Sequence, residues 1–274
     1  MSLGDELREL LKRLRLAGVL DSLDARLRQA IDDRLEPQEF LYRLLSDEVA
    51  RRERRQLELR LRRASFEQEK VLEDFDWSFN PRLPRARVLE LASCRFVTER
   101  RDVVLVGATG VGKSHLAQAL GHQACRAGHS VRYVAATDLL KELRAARADE
   151  SFERALRGFV RPDLLIVDDL GLRPLRGDEP QDVYEVIRQR YERGSTIWTS
   201  NRALEEWPGL FLDPLLGSAA VDRLLHHAEV LVLEGDTWRN PPPGRSRGPT
   251  RPSPDGGAPA PAAPVVAGVG GGEA

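Results

Sequence analysis

The stretch Gly107-Ala-Thr-Gly-Val-Gly-Lys113-Ser114 decides the fold of this chain, because it has the complete spacing G-x-x-x-x-G-K-[ST] of a phosphate-binding loop. The apolar, β-branched run Val103–Val106 precedes it, as expected for a buried parallel strand. Residues 115–127 follow with helical spacing. Glycines let backbone N–H groups and the N-terminus of that helix converge on one anion. The sequence therefore predicts a strand, a phosphate loop and a helix.

This loop predicts a nucleoside triphosphate as the ligand, in preference to a glycine-rich turn that binds nothing. Lys113 would place a full charge at the β- and γ-phosphates, and the Ser114 hydroxyl would ligate Mg²⁺. The predicted nucleotide-binding residues are Gly107, Ala108, Thr109, Gly110, Val111, Gly112, Lys113, Ser114 and His115.

A second motif, Leu164-Leu-Ile-Val-Asp168-Asp169, places an acid at the carboxyl end of another buried strand. We expect Asp168 to hold Mg²⁺, and Asp169 to orient the attacking water as a general base. Asn201, at the end of Thr199-Ser200-Asn201, is the candidate for holding that water or sensing the γ-phosphate. A turn-forming asparagine is the alternative interpretation of Asn201.

Composition limits the remaining possibilities. With 274 residues and 41% hydrophobic residues the chain can build a sizeable core, and its net charge of −1 gives no global attraction to a polyanion. Cys94 and Cys125 have no CxxC spacing, so we expect small buried side chains, and the five histidines also lack the spacing of a metal site. The sequence contains no apolar run of 18 residues and no signal peptide, which predicts a cytoplasmic protein without a membrane partner.

The chain divides into three regions of different composition. Residues 1–75 have helical apolar spacing throughout, including Leu7, Leu10, Leu11 and Leu14. Residues 76–240 alternate strand-like runs with helical stretches, which predicts a parallel α/β sheet flanked by helices. Residues 241–274 hold nine of the seventeen prolines and are predicted to be disordered. The expected strands are Val103–Val106, Val131–Ala135, Leu164–Val167, Thr196–Thr199 and Val230–Leu233.

The end of the helical region is rich in arginine. A solvated helix face is one interpretation, and a surface that contacts DNA phosphates is the other, since guanidinium groups suit bidentate phosphate contacts. The candidate DNA-contacting residues are Arg51, Arg52, Arg54, Arg55, Arg60, Arg62 and Arg63.

The order of four segments resembles the IstB-like transposition helper ATPases, which are AAA+ proteins related to the helicase loader DnaC. The segments are GATGVGKSHLAQALGHQACRAGHSVRY, LLIVDDLG, YERGSTIWTSNRALEEW and AVDRLLHHAEVLVLEGDTWR. The similarity runs from about Leu7 to Arg239, and it implies an AAA+ fold with an all-α N-terminal region.

This resemblance implies a function that spacing alone does not give. It implies ATP and Mg²⁺ as cofactors, slow hydrolysis stimulated by DNA or a partner, and a homo-oligomer in which Arg223 reaches the γ-phosphate of a neighbouring subunit. It also implies binding of duplex DNA by residues 1–75 and a transposase as partner. Two alternatives stay open: a helicase loader with a replicative helicase as partner, and an ATP-gated scaffold with little hydrolysis. Asp169 stands where many relatives carry Glu.

Overall fold

The computed structural model describes residues 2–211 and 213–238. Its α-helices are α1 (Leu3–Arg13), α2 (Ala17–Asp32), α3 (Pro37–Ala64), α4 (Arg85–Leu91), α5 (Arg95–Thr98), α6 (Lys113–Arg126), α7 (Ala136–Ala148), α8 (Phe152–Val160), α9 (Glu179–Arg190) and α10 (Pro214–Leu225). Its strands are β1 (Val103–Gly107), β2 (Val131–Ala135), β3 (Leu164–Asp168), β4 (Ser195–Ser200) and β5 (Glu229–Leu233). All five predicted strands are confirmed. The predicted disordered tail, 241–274, lies outside the described residues.

The strands form one parallel sheet in the order β2-β3-β4-β1-β5. Strand β4 separates β1 from β3, with Val103 opposite Ile197 and Leu165 opposite Thr196. Parallel strands end at the same edge of a sheet, so the end of β4 lies between the phosphate loop after β1 and the acids of β3. This order brings three distant segments of the chain to one site.

Each face of the sheet has its own core. Leu105, Ile166 and Ile197 pack on one face with side chains of α6 and the end of α3. The opposite face carries Val104 and Trp198, which pack with α7, α8, α9 and α10. Fully burying an aliphatic or aromatic side chain contributes about 1.5–3 kcal/mol, so these two layers supply most of the favourable free energy of folding.

The N-terminal helices have a small core of their own. Leu11, Val19, Leu23 and Leu44 are buried together between α1, α2 and α3. Of the predicted stripe on α1 only Leu11 is buried, while Leu7, Leu10 and Leu14 remain largely exposed. Three helices without a sheet beneath them offer too little surface to cover a whole stripe.

Helix α3 belongs to both parts of the chain. Its first half packs on α2, whereas Leu57, Leu61 and Ala64 near its end pack into the core beneath the sheet. The Arg60 guanidinium Nε donates to the Cys125 carbonyl oxygen at the end of α6, 2.9 Å away. Helix α3 thus lies within the predicted region 1–75, and its last turns pack on the core of the predicted region 76–240. Within the described ranges no helix is both long and apolar enough to cross a membrane.

Candidate functional site

The loop between β1 and α6 depends on its glycines. Gly110 and Gly112 have φ angles of +86° and +106°, in the left-handed region that L side chains rarely adopt. A Cβ atom on Gly110 would lie 2.1 Å from Thr237 Oγ1, and one on Gly112 would lie 3.2 Å from the Phe75 ring. Both the backbone conformation and the close approach of neighbouring side chains therefore favour glycine at these two positions.

Lys113 lies at the centre of this loop with only 5% of its surface exposed. Its Nζ donates to the carbonyl oxygens of Gly107 at 2.8 Å and Ala108 at 2.9 Å. The ammonium group is thus held at the N-terminus of α6, where the helix dipole also favours an anion. Ser114 follows in the first helical turn and is half-buried.

The ring of His115 is half-buried and packs against Val71 and Phe75. Its Nε2 lies 3.4 Å from the Val71 carbonyl oxygen, and its ring meets the edge of Phe75 at a centroid distance of 5.0 Å. Burial lowers the pKa of His115, so the imidazole is neutral at pH 7. His115 therefore contributes packing contacts and its backbone at the phosphate loop, and its side chain carries no positive charge there.

Asp168 is buried at the end of β3 between two hydrogen-bond donors. The Tyr133 hydroxyl donates to Oδ2 at 2.8 Å, and the Thr199 hydroxyl donates to Oδ1. A carboxylate oxygen has two lone pairs, so each oxygen can still face a cation. Alternation along β3 places Asp168 on the side of Ile166, the face that packs against α6. The donor set and its placement fit Mg²⁺ bound beside Ser114.

Asp169 lies immediately beyond β3 with a left-handed φ of +58°. Its backbone N–H donates to Thr199 Oγ1 at 2.8 Å, so the same hydroxyl that bonds Asp168 also holds the next residue. Asn201 is exposed and directly follows β4, at the edge where both acids lie. The two acids and the β4 terminus are thereby brought together, as the motifs predict.

Sequence reasoning missed Tyr133 and the bonding role of Thr199. Tyr133 lies on β2, 35 positions before Asp168, and only the strand order makes them neighbours. Burial and the adjacent Asp168 carboxylate raise the pKa of Tyr133, so its phenol stays protonated and continues to donate. A tyrosine at a buried position of the strand Val131–Ala135 was the available signal.

A closing segment, residues 235–238, was also missed by the sequence analysis. The Trp238 backbone N–H donates to the Gly110 carbonyl oxygen at 2.9 Å. Asn80 holds this segment with its side chain, donating to the Asp236 carbonyl oxygen at 3.0 Å and accepting from the Asp236 N–H at 2.8 Å. The Phe79 and Trp238 rings meet edge to face at 4.6 Å. The closing segment therefore borders the phosphate loop.

Arg223 is half-buried on α10 and points to α9. Its guanidinium donates to the Tyr184 hydroxyl and lies 5.2 Å from the centre of that ring. Within this single chain Arg223 therefore contacts α9.

The arginine side chains in the second half of α3 lie in different environments. Arg60 is held by Cys125, while Arg51 pairs with Asp21 at 3.3 Å and Arg62 with Glu58 at 3.9 Å. Arg52 pairs with Glu48, whereas Arg54, Arg55 and Arg63 are exposed and form no ion pair among the described residues.

Comparison with known proteins decides the family. A family model described as IstB-like ATP binding protein matches residues 9–242. The chain belongs to this family. It is 41% identical over 241 residues to an ATP-binding protein in an insertion sequence of Mycobacterium tuberculosis, covering 87% of this chain and 96% of that one. It is 37% identical to an ATP-binding protein of the insertion sequence IS21 from Pseudomonas aeruginosa, covering 85% and 88% of the two chains.

Two solved structures share the fold at low identity. AMPPCP-bound DnaA from Aquifex aeolicus matches with a TM-score of 0.52 and 22% identity, covering 62% of this chain and 51% of that one. DnaI matches with a TM-score of 0.52 and 21% identity, covering 61% and 92%. The parallel sheet with its flanking helices is thus the predicted AAA+ fold.

Proposed function

We propose that this protein is an ATP-dependent, DNA-binding helper of transposition that assembles on target DNA and recruits or stimulates a transposase. One observation carries the enzymatic part: the Thr199 hydroxyl bonds both Asp168 and Asp169, beside a complete phosphate loop. Family membership and the insertion-sequence relatives support the transposition context.

The site residues take distinct roles in this proposal. The N–H groups of loop 107–112 and the Lys113 ammonium bind the phosphates of ATP, so Lys113 exchanges its two carbonyl contacts for phosphate oxygens. Ser114 and Asp168 hold Mg²⁺, which neutralises charge on the phosphate oxygens when bound. Asp169 orients the attacking water and accepts its proton, with Asn201 as a second polar contact.

Arg223 completes the site of a neighbouring subunit. In the single chain its guanidinium contacts Tyr184, and Arg223 would exchange this contact for the neighbour's γ-phosphate on assembly. A guanidinium aimed at the γ-phosphate stabilises charge that develops in the transition state. Hydrolysis then depends on assembly of a homo-oligomer.

The DNA surface lies on the exposed side of α3. Arg54, Arg55 and Arg63 are free of intramolecular ion pairs within the described part of the chain, and they can contact phosphates without breaking existing bonds. Arg51 and Arg62 form exposed pairs that contribute little to stability, so phosphates can replace their partners. Arg52 pairs with the buried Glu48 and would contact phosphate while keeping that pair. Arg60 would act indirectly, since its guanidinium is engaged by Cys125.

Complementation between two variants tests this proposal. Lys113→Ala lacks the phosphate-binding ammonium but retains Arg223, while Arg223→Ala has the opposite defect. Each variant alone should release phosphate slowly, and a mixture with duplex DNA should recover part of the wild-type rate. Absence of ATP turnover by the wild type, with and without DNA, would leave an ATP-gated scaffold as the function. Inactivity of a mixture that co-assembles would refute the role of Arg223 in trans.

A further inference from the structure

Two histidines of the DRLLHH segment have no role in the proposed ATPase reaction. His226 caps the C-terminus of α10 and His227 follows it. Glu192 lies two positions after the end of α9. The two helix ends meet, so Glu192 comes together with His226 and His227 although it lies more than 30 positions before them in the sequence.

The geometry of this cluster suits one small cation. One ring nitrogen from each histidine and one carboxylate oxygen of Glu192 all lie within 4.8 Å of one another. His227 Nε2 is 3.5 Å from Glu192 Oε1, and the two imidazole centroids are 4.0 Å apart. Bonds of about 2.0–2.2 Å in a tetrahedral site separate ligand atoms by roughly 3.3 Å, so small side-chain rotations complete the arrangement.

Tyr191 supports both imidazole rings. Its hydroxyl lies 2.9 Å from His226 Nδ1, and its ring stacks on His227 with an interplanar angle of 21° and centroids 6.5 Å apart. Hydrogen bonds from outside the ligand set commonly fix the orientation of metal-ligating histidines. The cluster therefore has both ligand atoms and a group that orients them.

We propose that Glu192, His226 and His227 form a binding site for a divalent transition metal, with Zn²⁺ as the best match. Two imidazoles and one carboxylate suit zinc, whereas Mg²⁺ and Ca²⁺ prefer oxygen ligands alone. All three side chains are exposed, so the metal reaches them directly and water fills the remaining coordination position. This site is separate from the nucleotide site, and the proposal does not depend on ATP hydrolysis.

Metal binding would link the ends of α9 and α10. Arg223 of α10 already contacts Tyr184 of α9, and His226 lies three residues beyond Arg223 on the same helix. A metal that joins Glu192 to His226 and His227 would hold the two helices in this relative position. The site would thereby stabilise the pair of helices that carries Arg223.

Zinc titration of the full chain without nucleotide tests the proposal. Isothermal titration with ZnCl₂ should show one equivalent for the wild type, and Co²⁺ should give the visible absorption of a four-coordinate nitrogen and oxygen site. Glu192→Gln, His226→Ala and His227→Ala should each weaken zinc binding by at least about tenfold, and Tyr191→Phe by about tenfold. The zinc-induced increase in melting temperature should disappear in the double variant His226→Ala/His227→Ala.

Two control variants locate the metal. His129→Ala removes a histidine outside the cluster and should bind zinc as the wild type does. Asp168→Asn alters the predicted magnesium site and should also keep the zinc equivalent. The proposal is overturned if the double variant retains the equivalent, if Asp168→Asn loses it, or if the wild type binds no zinc.

Discussion

The Thr199→Val substitution tests how the two acids are held in place. Valine has nearly the shape of threonine but removes the hydroxyl that donates to Asp168 and accepts from the Asp169 N–H at 2.8 Å. A bond to a charged group contributes about 1.5–3 kcal/mol and a neutral one about 0.5–1.5 kcal/mol, so we expect roughly 3 kcal/mol lower stability. Urea unfolding followed by tryptophan fluorescence measures this loss.

The same variant should separate ATP binding from turnover. The phosphate loop is untouched, so affinity for a fluorescent ATP analogue should stay within about threefold of wild type, a change below 1 kcal/mol. Phosphate release should fall by at least about tenfold, equivalent to 1.4 kcal/mol in the barrier, because Asp169 loses its anchor. Thr199→Ser keeps the hydroxyl and serves as the matched control. Wild-type turnover by a folded Thr199→Val protein would refute the assigned role of this hydroxyl.

Three further variants test other parts of the structure. Gly110→Ala should bind nucleotide at least tenfold more weakly in the fluorescence assay, because its Cβ would clash with the closing segment. Gly128→Ala is the control: it has the same left-handed strain but open space around its Cβ, so it should bind nucleotide normally. Hydrogen bonding from Arg173 lowers the pKa of Glu179 from 4.5 to about 2. This shift stabilises the folded protein by about 3 kcal/mol above pH 4.5, and the stabilisation is lost as the pH falls toward 2. Glu179→Gln should therefore be less stable than wild type in urea at pH 7, and equal stability there would contradict this account. Replacing the exposed arginines 54 and 55 by Gln should flatten the slope of log DNA affinity against log salt concentration by about two units. An unchanged slope would mean that these arginines face solvent and do not contact DNA phosphates.

Local patterns in the sequence predict most of the fold. The five strands are short apolar runs between turn signals, so their positions follow from neighbouring residues alone. The phosphate loop is predictable for the same reason, since all its residues are contiguous. Exposure of Leu7 and Leu10 was not predictable, because periodicity identifies an apolar stripe but not how much surface is available to cover it.

Contacts between distant segments were beyond the reach of sequence patterns. The bond from Tyr133 to Asp168 depends on β2 pairing with β3, and the meeting of Glu192 with His227 depends on where two helices end. Asn80 and Asp236 are 156 positions apart, and their side-chain and backbone bonds require the complete fold. Spacing along the chain contains no information about such pairings.

The continuity of α3 makes it a mechanical lever. At 1.5 Å per residue its 28 residues extend about 42 Å, from the small helical core to the underside of the sheet. Pro37 lies about 34 Å along the helix from Arg60, so a tilt of about 5° at the Arg60–Cys125 contact would displace that end by about 3 Å. A displacement of α1 and α2 would thus reach α6, the helix whose first residue is Lys113, as torque through α3.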